Sequence, residues 1–572
     1  MGSNSWPGGF QLNKSAWKWM MAACLLLGSA VPTAFAEETK QEAASEKKEA
    51  AGMVQLRQAA SAIGAYVKWE QSTKEATVTY GDRVWIIRSE SVESTISGQP
   101  LKLTAAPRVE QGTLVVPWND LCEALQIQAK WVNGKVEAEM SDWKTRASQF
   151  VMQFAAAADR PEAAEQIQSS LTPALKKAGQ VYPIGMFAKQ ITTMLGQPTQ
   201  LIQATQIEND VHRNVTVSFK TGKGSVLSVV LRYTKNGLVD DMYFNFTPQG
   251  QYQAPSYDDK DAYKEESIVI GEGEFKLPGT LTVPASGDGN YPVLVLVHGS
   301  GANDRDESIG SSKMFRDLSV GLAKQGIATI RYEKRTREYS YQSSAVPRFT
   351  VKEETIDDAL HAVAWASQDK RLNKQQIFVL GHSQGGMLVP RILAQDTAKA
   401  VRGAVIAAGP SGPLEDLMLT QFEGQLARAK EAKLPEQAIA QLEAQVAAWK
   451  QSLQIIKNKE YTVDNYPANL PIGTPSWWFD FRDYYGGDIA KNQQVPMFLI
   501  QGDNDVQVGK EHLDGWKKAL SARTNVAYKL YPKLNHVFVP YDKPSTGEEY
   551  MLPGNVPLDV ITDMAKWIKS QS

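Results

Sequence analysis

The sequence predicts an α/β protein: a parallel sheet covered on both faces and interrupted by a helical insertion, preceded by two small α+β modules. Three observations carry this. After Lys264, six short and almost wholly apolar runs alternate with helical stretches, the pattern of strands buried on both sides. Near the start, a helix-then-strand unit recurs at an offset of 62 residues. Between these regions, residues 142–250 read as helices followed by alternating strands.

Composition narrows the function classes. The 572 residues are 42% hydrophobic and 22% charged, ordinary globular usage that excludes wholesale disorder, collagen and channel classes. Lys+Arg number 61 against Asp+Glu 63, so no basic footprint for nucleic acid exists. Two cysteines, Cys24 and Cys122, make neither a disulfide framework nor a multi-cysteine zinc site.

Lys14 and Lys18 precede an uncharged stretch, Trp19 to Ala36, that contains Leu25-Leu26-Leu27 and ends in Ala34-Phe35-Ala36. This predicts a secretory signal peptide over 1–36, cleaved after Ala36. Its apolar core stops near Val31, short of the ~20 residues that span a bilayer. The protein is thus expected to be secreted or associated with the cell envelope. Residues 37–52 alternate charge with almost no apolar bulk and read as a solvated linker.

In residues 53–140, Arg57 to Trp69 aligns with Asn119 to Trp131, each copy a short amphipathic helix followed by a strand ending in Lys-Trp. Strands Ala76–Tyr80 and Val84–Ile87 follow the first copy. This segment resembles the copper amine oxidase-like N-terminal domain of exported bacterial proteins. No histidine lies between Met1 and Val211, so an imidazole set for copper is excluded. The module reads either as a folded spacer or as a contact with the cell envelope or a partner. Residues 142–250 comprise a helix over 144–154, a helical stretch through Ala174–Lys177, and strands over 214–219, 226–231 and 241–246. This region is similar to a small α+β domain of unknown function that precedes hydrolase domains. His212 is isolated there and reads as an ordinary surface or core histidine. Residues 251–263 are polar and proline-containing and read as the onward linker.

In the third region, 264–572, strands are expected at 293–297, 327–331, 377–380, 404–408, 496–500 and 526–531. Gly381-His382-Ser383-Gln384-Gly385 begins directly after one of them and runs into a helical stretch. That strand-turn-helix context lets flanking glycines hold a serine hydroxyl out of a strained turn. Such a hydroxyl needs a base, and the base an orienting acid. Of six histidines, His298 and His382 sit in tight turns, His361 and His512 on helices, and His212 outside the region. His536 remains, in the loop past the last strand, where sheets of this kind carry their chemistry. The acid is expected after the preceding strand, within Gln501-Gly502-Asp503-Asn504-Asp505. Asp505 is chosen, with Asp503 as a turn former. The order Ser383, Asp505, His536 is that of α/β-hydrolases. His298-Gly299-Ser300-Gly301 ends another strand and supplies one oxyanion donor, the backbone N–H of Ser300 or in its place Gly301. The N–H of Gln384 supplies the other.

With these motifs, residues 264–572 resemble exported bacterial serine esterases of the α/β-hydrolase fold, close to acyl-aminoacyl peptidases and acyl-transferring thioesterases. The resemblance implies a carboxylic-ester hydrolase acting on a small-molecule acyl ester through an acyl-enzyme, with no cofactor and no metal. Peptide cleavage and acyl transfer by the same three residues stay open, as does a non-catalytic envelope-binding role. Arg331-Tyr332-Glu333-Lys334-Arg335, which carries Glu where the family more usually has Asp, reads as structural ion pairing. Asn303 to Glu307 reads as a pinned loop and not a cation site. The insertion over 410–494, helical across Leu414–Lys459 and rich in aromatics at Trp477–Phe481, reads as a cap. Those aromatics either line an acyl or alcohol pocket or seat the cap. Oligomeric state is not legible.

Overall fold

The computed structural model describes residues 52–246, 250–467 and 475–571. The expected signal peptide, and the linker up to residue 51, lie outside them. The described residues form two compact units. One runs up to Phe246 and also takes in Tyr339–Val346; the other holds the rest.

In the first unit, Tyr66–Glu70, Glu75–Tyr80, Arg83–Arg88, Glu93–Ile96 and Gln99–Lys102 form a five-stranded antiparallel sheet in chain order. Alternation decides which face is inside: Ala76, Val78 and Tyr80 are buried, their neighbours only partly so. The two repeated helices are Leu56–Ala62 and Trp118–Leu125. Helix Trp143–Ala156 is capped by Asp142, whose carboxylate accepts the Thr145 N–H. Three more helices precede a four-stranded meander, Pro198–Glu208, Arg213–Thr221, Val226–Tyr233 and Val239–Phe244. The strand Pro198–Glu208 and helix Ile184–Leu195 were not expected. Gln-rich Pro198–Glu208 leaves most of its side chains exposed, so it lacks the apolar alternation that marks a strand. The two front modules share one core, in which Tyr80 and Trp85 join Phe150, Phe154 and Phe219. Tyr339–Val346 completes this unit. The buried Asp241 carboxylate accepts the N–H groups of Tyr341 and Gln342 at 2.9 and 3.0 Å. His212 is a core residue paired with Asp240 at 3.0 Å.

The second unit is built on eight strands: β1 Tyr263–Ile270, β2 Leu277–Pro284, β3 Tyr291–Val297, β4 Ala328–Tyr332, β5 Leu372–His382, β6 Val401–Ala407, β7 Met497–Gly502 and β8 Val526–Tyr531. Their order in the sheet is β1-β2-β4-β3-β5-β6-β7-β8. All six expected strands are present and parallel. The sheet is nevertheless mixed, because β1 and β2 add an antiparallel edge. The polar residues of β1, Lys264 to Ser267, belong to an edge strand with exposed positions, which apolar-run reading passes over. Both faces of the inner strands are covered. Val405, Ala407, Phe498 and Ile500 pack with Phe315, Leu318, Ile561 and Met564 on one side. Ala404, Ile406, Met497 and Leu499 pack with Val389, Leu513 and Trp516 on the other. The onward linker before β1 is tied to the sheet unit: the Tyr252 hydroxyl donates to Asp317 at 2.7 Å and that of Tyr257 to the Val556 carbonyl at 2.6 Å. Polar composition there serves specific bonds.

The cap begins as a helical hairpin, Leu414–Glu431 and Glu436–Lys457. Arg482 closes it by donating to the carbonyls of Ile456, Asn458 and Tyr461 at 3.2, 2.8 and 3.2 Å. Trp478 and Phe481 are buried, Trp478 against Trp449, so these two seat the cap. No helix among the described residues is long and apolar enough to cross a membrane.

Phe219 is fully buried in the shared core of the first unit. Phe219→Ala is expected to cost about 3–5 kcal/mol, measured by urea denaturation followed through the near-ultraviolet signal of its aromatics.

Candidate active site

The chain steps from β3 outward to β4 and then back to β5, so the carboxyl ends of β3 and β5 flank the point where strand order reverses. At the end of β5 the backbone turns through Ser383 at φ 52° and ψ −121° and enters helix Gln384–Gln395. A positive φ at serine costs about 1–3 kcal/mol and persists only when its surroundings over-determine it. Here they do. The Ser383 N–H donates to the Ala407 carbonyl of β6 at 2.9 Å, and the Met387 N–H to the Ser383 carbonyl at 2.9 Å. A Cβ on Gly381 would stand 2.6 Å from the Gly386 nitrogen, and one on Gly385 2.6 Å from the Val297 oxygen. Helix start, β5 end and β3 end therefore meet backbone to backbone. A Cβ on Gly299 would lie 3.0 Å from Cβ of Ser383, so the loop after β3 lies against the serine.

Asp505 and His536 come together across the loops after β7 and β8. His536 Nδ1 lies 2.7 Å from Asp505 Oδ2, and both side chains are almost fully buried. Asp505 Oδ2 also accepts from Gln501 Nε2 at 3.0 Å, while Oδ1 accepts the N–H groups of Gln507 and Val508 at 2.8 and 2.9 Å. Four donors fix the carboxylate. An imidazole giving its Nδ1 proton to that carboxylate keeps Nε2 as an acceptor. Asp503 is engaged elsewhere, its carboxylate accepting the Lys533 N–H at 2.6 Å. Of the other histidines, His512 Nδ1 accepts the Ser411 N–H at 3.1 Å.

His382 links the serine to the histidine loop. Its Nε2 lies 2.9 Å from the His536 carbonyl, so Nε2 carries the proton, and the two rings stand 4.7 Å apart. The Ser383 hydroxyl and the His536 ring are not hydrogen-bonded to each other. Behind His382 lies Glu307, 1% exposed. Its Oε1 stands 3.1 Å from His382 Nδ1 and accepts the Gly299 N–H at 2.7 Å. Burial works against charge at both groups. Even so, the Glu307 carboxylate lifts His382 above the ordinary imidazole range, and His382, His298 and the Gly299 N–H hold Glu307 below the ordinary carboxylate range. Burial instead pushes His298 down to about 4. It gives its Nε2 proton to the Asp304 carbonyl at 3.0 Å between the rings of Phe315 and Tyr332.

Ser300 is exposed on the loop after β3, and Gln384 is the buried first residue of its helix, where a backbone N–H has no partner within the helix. The stretch Asn303 to Glu307 is tied inward: Asp304 accepts the N–H groups of Asp306 and Ser308 at 3.2 and 2.9 Å, and Asp306 pairs with Lys313 and Arg331. In Arg331 to Arg335 each charge has a partner, including Glu333 with Arg305 and Arg335 with Asp358. Gln501 and Glu307 escape sequence reasoning as parts of the site. Only the position of Gln501 at the end of β7 hints at its role.

A family model described as "alpha/beta hydrolase fold" matches residues 292–542, and one described as "Copper amine oxidase N-terminal domain" matches residues 36–140. Esterase EstD of Thermotoga maritima is 34% identical over 363 residues, covering 64% of this chain and 80% of the relative. This chain belongs to the α/β-hydrolase esterases. Among solved structures, Est1E of Butyrivibrio proteoclasticus is 15% identical over 53% of this chain and 98% of its own, with a TM-score of 0.34. An esterase of Pyrococcus furiosus is 16% identical over 57% and 98%, with a TM-score of 0.35. At such overlaps these likenesses add nothing to the esterase fold described above.

His298 is neutral in the folded esterase at pH 7, whereas the unfolded chain takes up its proton near pH 6.5. Its depressed value makes the folded state lose stability as pH falls from about 6.5 to about 4. His298→Asn is expected to be less stable than wild type at pH 7 but to lose less further stability between pH 7 and pH 5, read as thermal midpoints. Gly385→Ala is expected to force the ends of β3 and β5 apart and to cut ester turnover more than about 10-fold, with a lowered midpoint in the same melts.

Proposed function

We propose that this carboxylic-ester hydrolase works through an acyl-enzyme formed on Ser383, with His536 as the proton carrier and Asp505 as its orienting acid. The reading is supported above all by the buried 2.7 Å contact between His536 Nδ1 and Asp505, one loop away from a serine held at positive φ. Ser383 Oγ attacks the acyl carbon and gives its proton to His536 Nε2. The imidazolium then protonates the leaving alkoxide, and Asp505 stabilises the charged ring. Water, deprotonated by His536, cleaves the ester to Ser383 and restores the hydroxyl. The negative oxygen of each tetrahedral intermediate is held by the N–H groups of Gln384 and Ser300. The substrate is a small-molecule acyl ester, and no step calls for a cofactor or metal. We further propose that residues 1–36 export the protein to the envelope or beyond, where residues 53–140 serve as a folded spacer or as a contact with the envelope.

The test is direct. Ser383→Ala is expected to lower kcat on an activated short-chain ester by at least about 10⁴-fold and to abolish labelling by a fluorophosphonate. Asp505→Asn is expected to keep labelling at a much reduced rate, with kcat down about 10³–10⁴-fold. A Ser383→Ala protein that still turns over the ester overturns the reading.

A further inference from the structure

We propose that Lys334 is a positioning residue of the oxyanion site, and that Glu354 and Trp477 tie it to the cap. Neither the acyl-enzyme scheme nor the comparisons give these residues a role. The inference rests on the reading of Ser383 as nucleophile and the Ser300 N–H as donor, and deepens it.

Lys334 Nζ donates to the Gly299 carbonyl at 2.7 Å and pairs with Glu354 Oε1 at 2.7 Å, the two side chains being 2% and 8% exposed. Burying an ammonium and a carboxylate for stability alone is a weak bargain, because desolvation rivals their attraction. The position of the pair is informative. A peptide unit is planar and trans, so the C=O of Gly299 and the N–H of Ser300 point in opposite directions. Fixing the carbonyl on Lys334 therefore fixes the direction of the Ser300 N–H. The preceding peptide is fixed as well, since the Gly299 N–H is held by Glu307 at 2.7 Å. One residue on, Asn303 Nδ2 donates to the carbonyls of Gly299 and Ser300 at 3.2 and 3.0 Å, which sets the Gly301 N–H in the same way. Every polar backbone group of Gly299 is thus held by a buried ionic side chain, on the loop that lies against Ser383.

The cap reaches this system through Trp477, whose indole N–H donates to Glu354 Oε2 at 2.5 Å. Arg391, on the helix that follows Ser383, grips the same short cap helix (Pro475–Phe481) through both oxygens of Asp480 at 2.9 and 3.1 Å. The seating of that cap helix and the aim of the oxyanion donor are therefore linked by a continuous path, Trp477 to Glu354 to Lys334 to Gly299. Oxyanion donors act by being in place before charge develops, and a misplacement of about 1 Å costs on the order of 10²-fold.

The experiment compares wild type with Lys334→Met, Trp477→Phe, the double variant of these two, and the charge-neutral pair Lys334→Met with Glu354→Gln. For each, kcat and KM are measured on one activated ester, with inhibition by an alkyl boronic acid that forms a tetrahedral adduct on the serine. Thermal melts establish folding. Lys334→Met is expected to lower kcat about 30- to 100-fold, to leave KM within about threefold, and to weaken the boronic acid by a factor like that in kcat/KM. Trp477→Phe is expected to lower kcat about 3- to 10-fold, with no further loss in the Lys334→Met background. If Lys334→Met does not fold, the charge-neutral pair, which leaves no lone buried charge, carries the same expectation. Wild-type kcat and boronic acid affinity in a folded Lys334 variant overturn the proposal, and so does a loss confined to thermal stability. Fully multiplicative losses from Trp477 and Lys334 overturn the link to the cap. Fluorophosphonate labelling of wild type keeps the two failures apart: no labelling sinks the Ser383 scheme, whereas labelling with unimpaired Lys334 variants sinks this inference alone.

Discussion

The active-site architecture depends on a lack of room. Where β5 meets its helix and abuts the end of β3, three backbones approach so closely that Gly381 and Gly385, two residues to either side of Ser383, admit no side chain. This crowding keeps the serine at a backbone conformation it would otherwise leave. It also brings the loop after β3 within reach of the hydroxyl. Main-chain packing thus fixes Ser383 and the loop after β3 together, before any side-chain chemistry is considered.

Around this turn the ionic groups come in buried couples: Asp505 with His536, Glu307 with His382, Lys334 with Glu354. Each couple also holds backbone. Asp505 fixes the turn at Gln507 and Val508, Glu307 and Lys334 hold the two sides of Gly299, and His382 holds the His536 carbonyl. In a water-poor interior such bonds are strong when complete and costly when one member is lost. The site is accordingly an assembly whose loops are mutually fixed.

The parallel sheet was legible because strands buried on both faces are written as unbroken apolar runs, as in Val293 to Val297. The edge strand β1 was not, because exposed positions dilute its run with Lys264, Glu265 and Glu266, and the buried β2 was not, because Pro278, Gly279 and the two threonines break its apolar run. Ser383, Asp505 and His536 could be singled out because catalytic residue types at strand ends are few, and chain order sorted them. Glu307 and Lys334 stayed hidden for a physical reason. A charged residue in a string such as Arg331 to Arg335 reads as an ion-pairing group, and only the fold shows which carbonyl it faces. The same holds for Trp477: sequence offered pocket lining or cap seating, and its indole N–H turned out to face Glu354.

The common interior of the first unit bears on how such chains are assembled. Residues 36–140 match a family model of their own, yet Tyr80 and Trp85 in that segment share their apolar surroundings with Phe150, Phe154 and Phe219 from the segment that follows. A recombination breakpoint near residue 141 would leave two half-walls facing water. The block that folds together in this chain is therefore longer than the matched segment, and a graft of residues 36–140 alone would carry an incomplete interior.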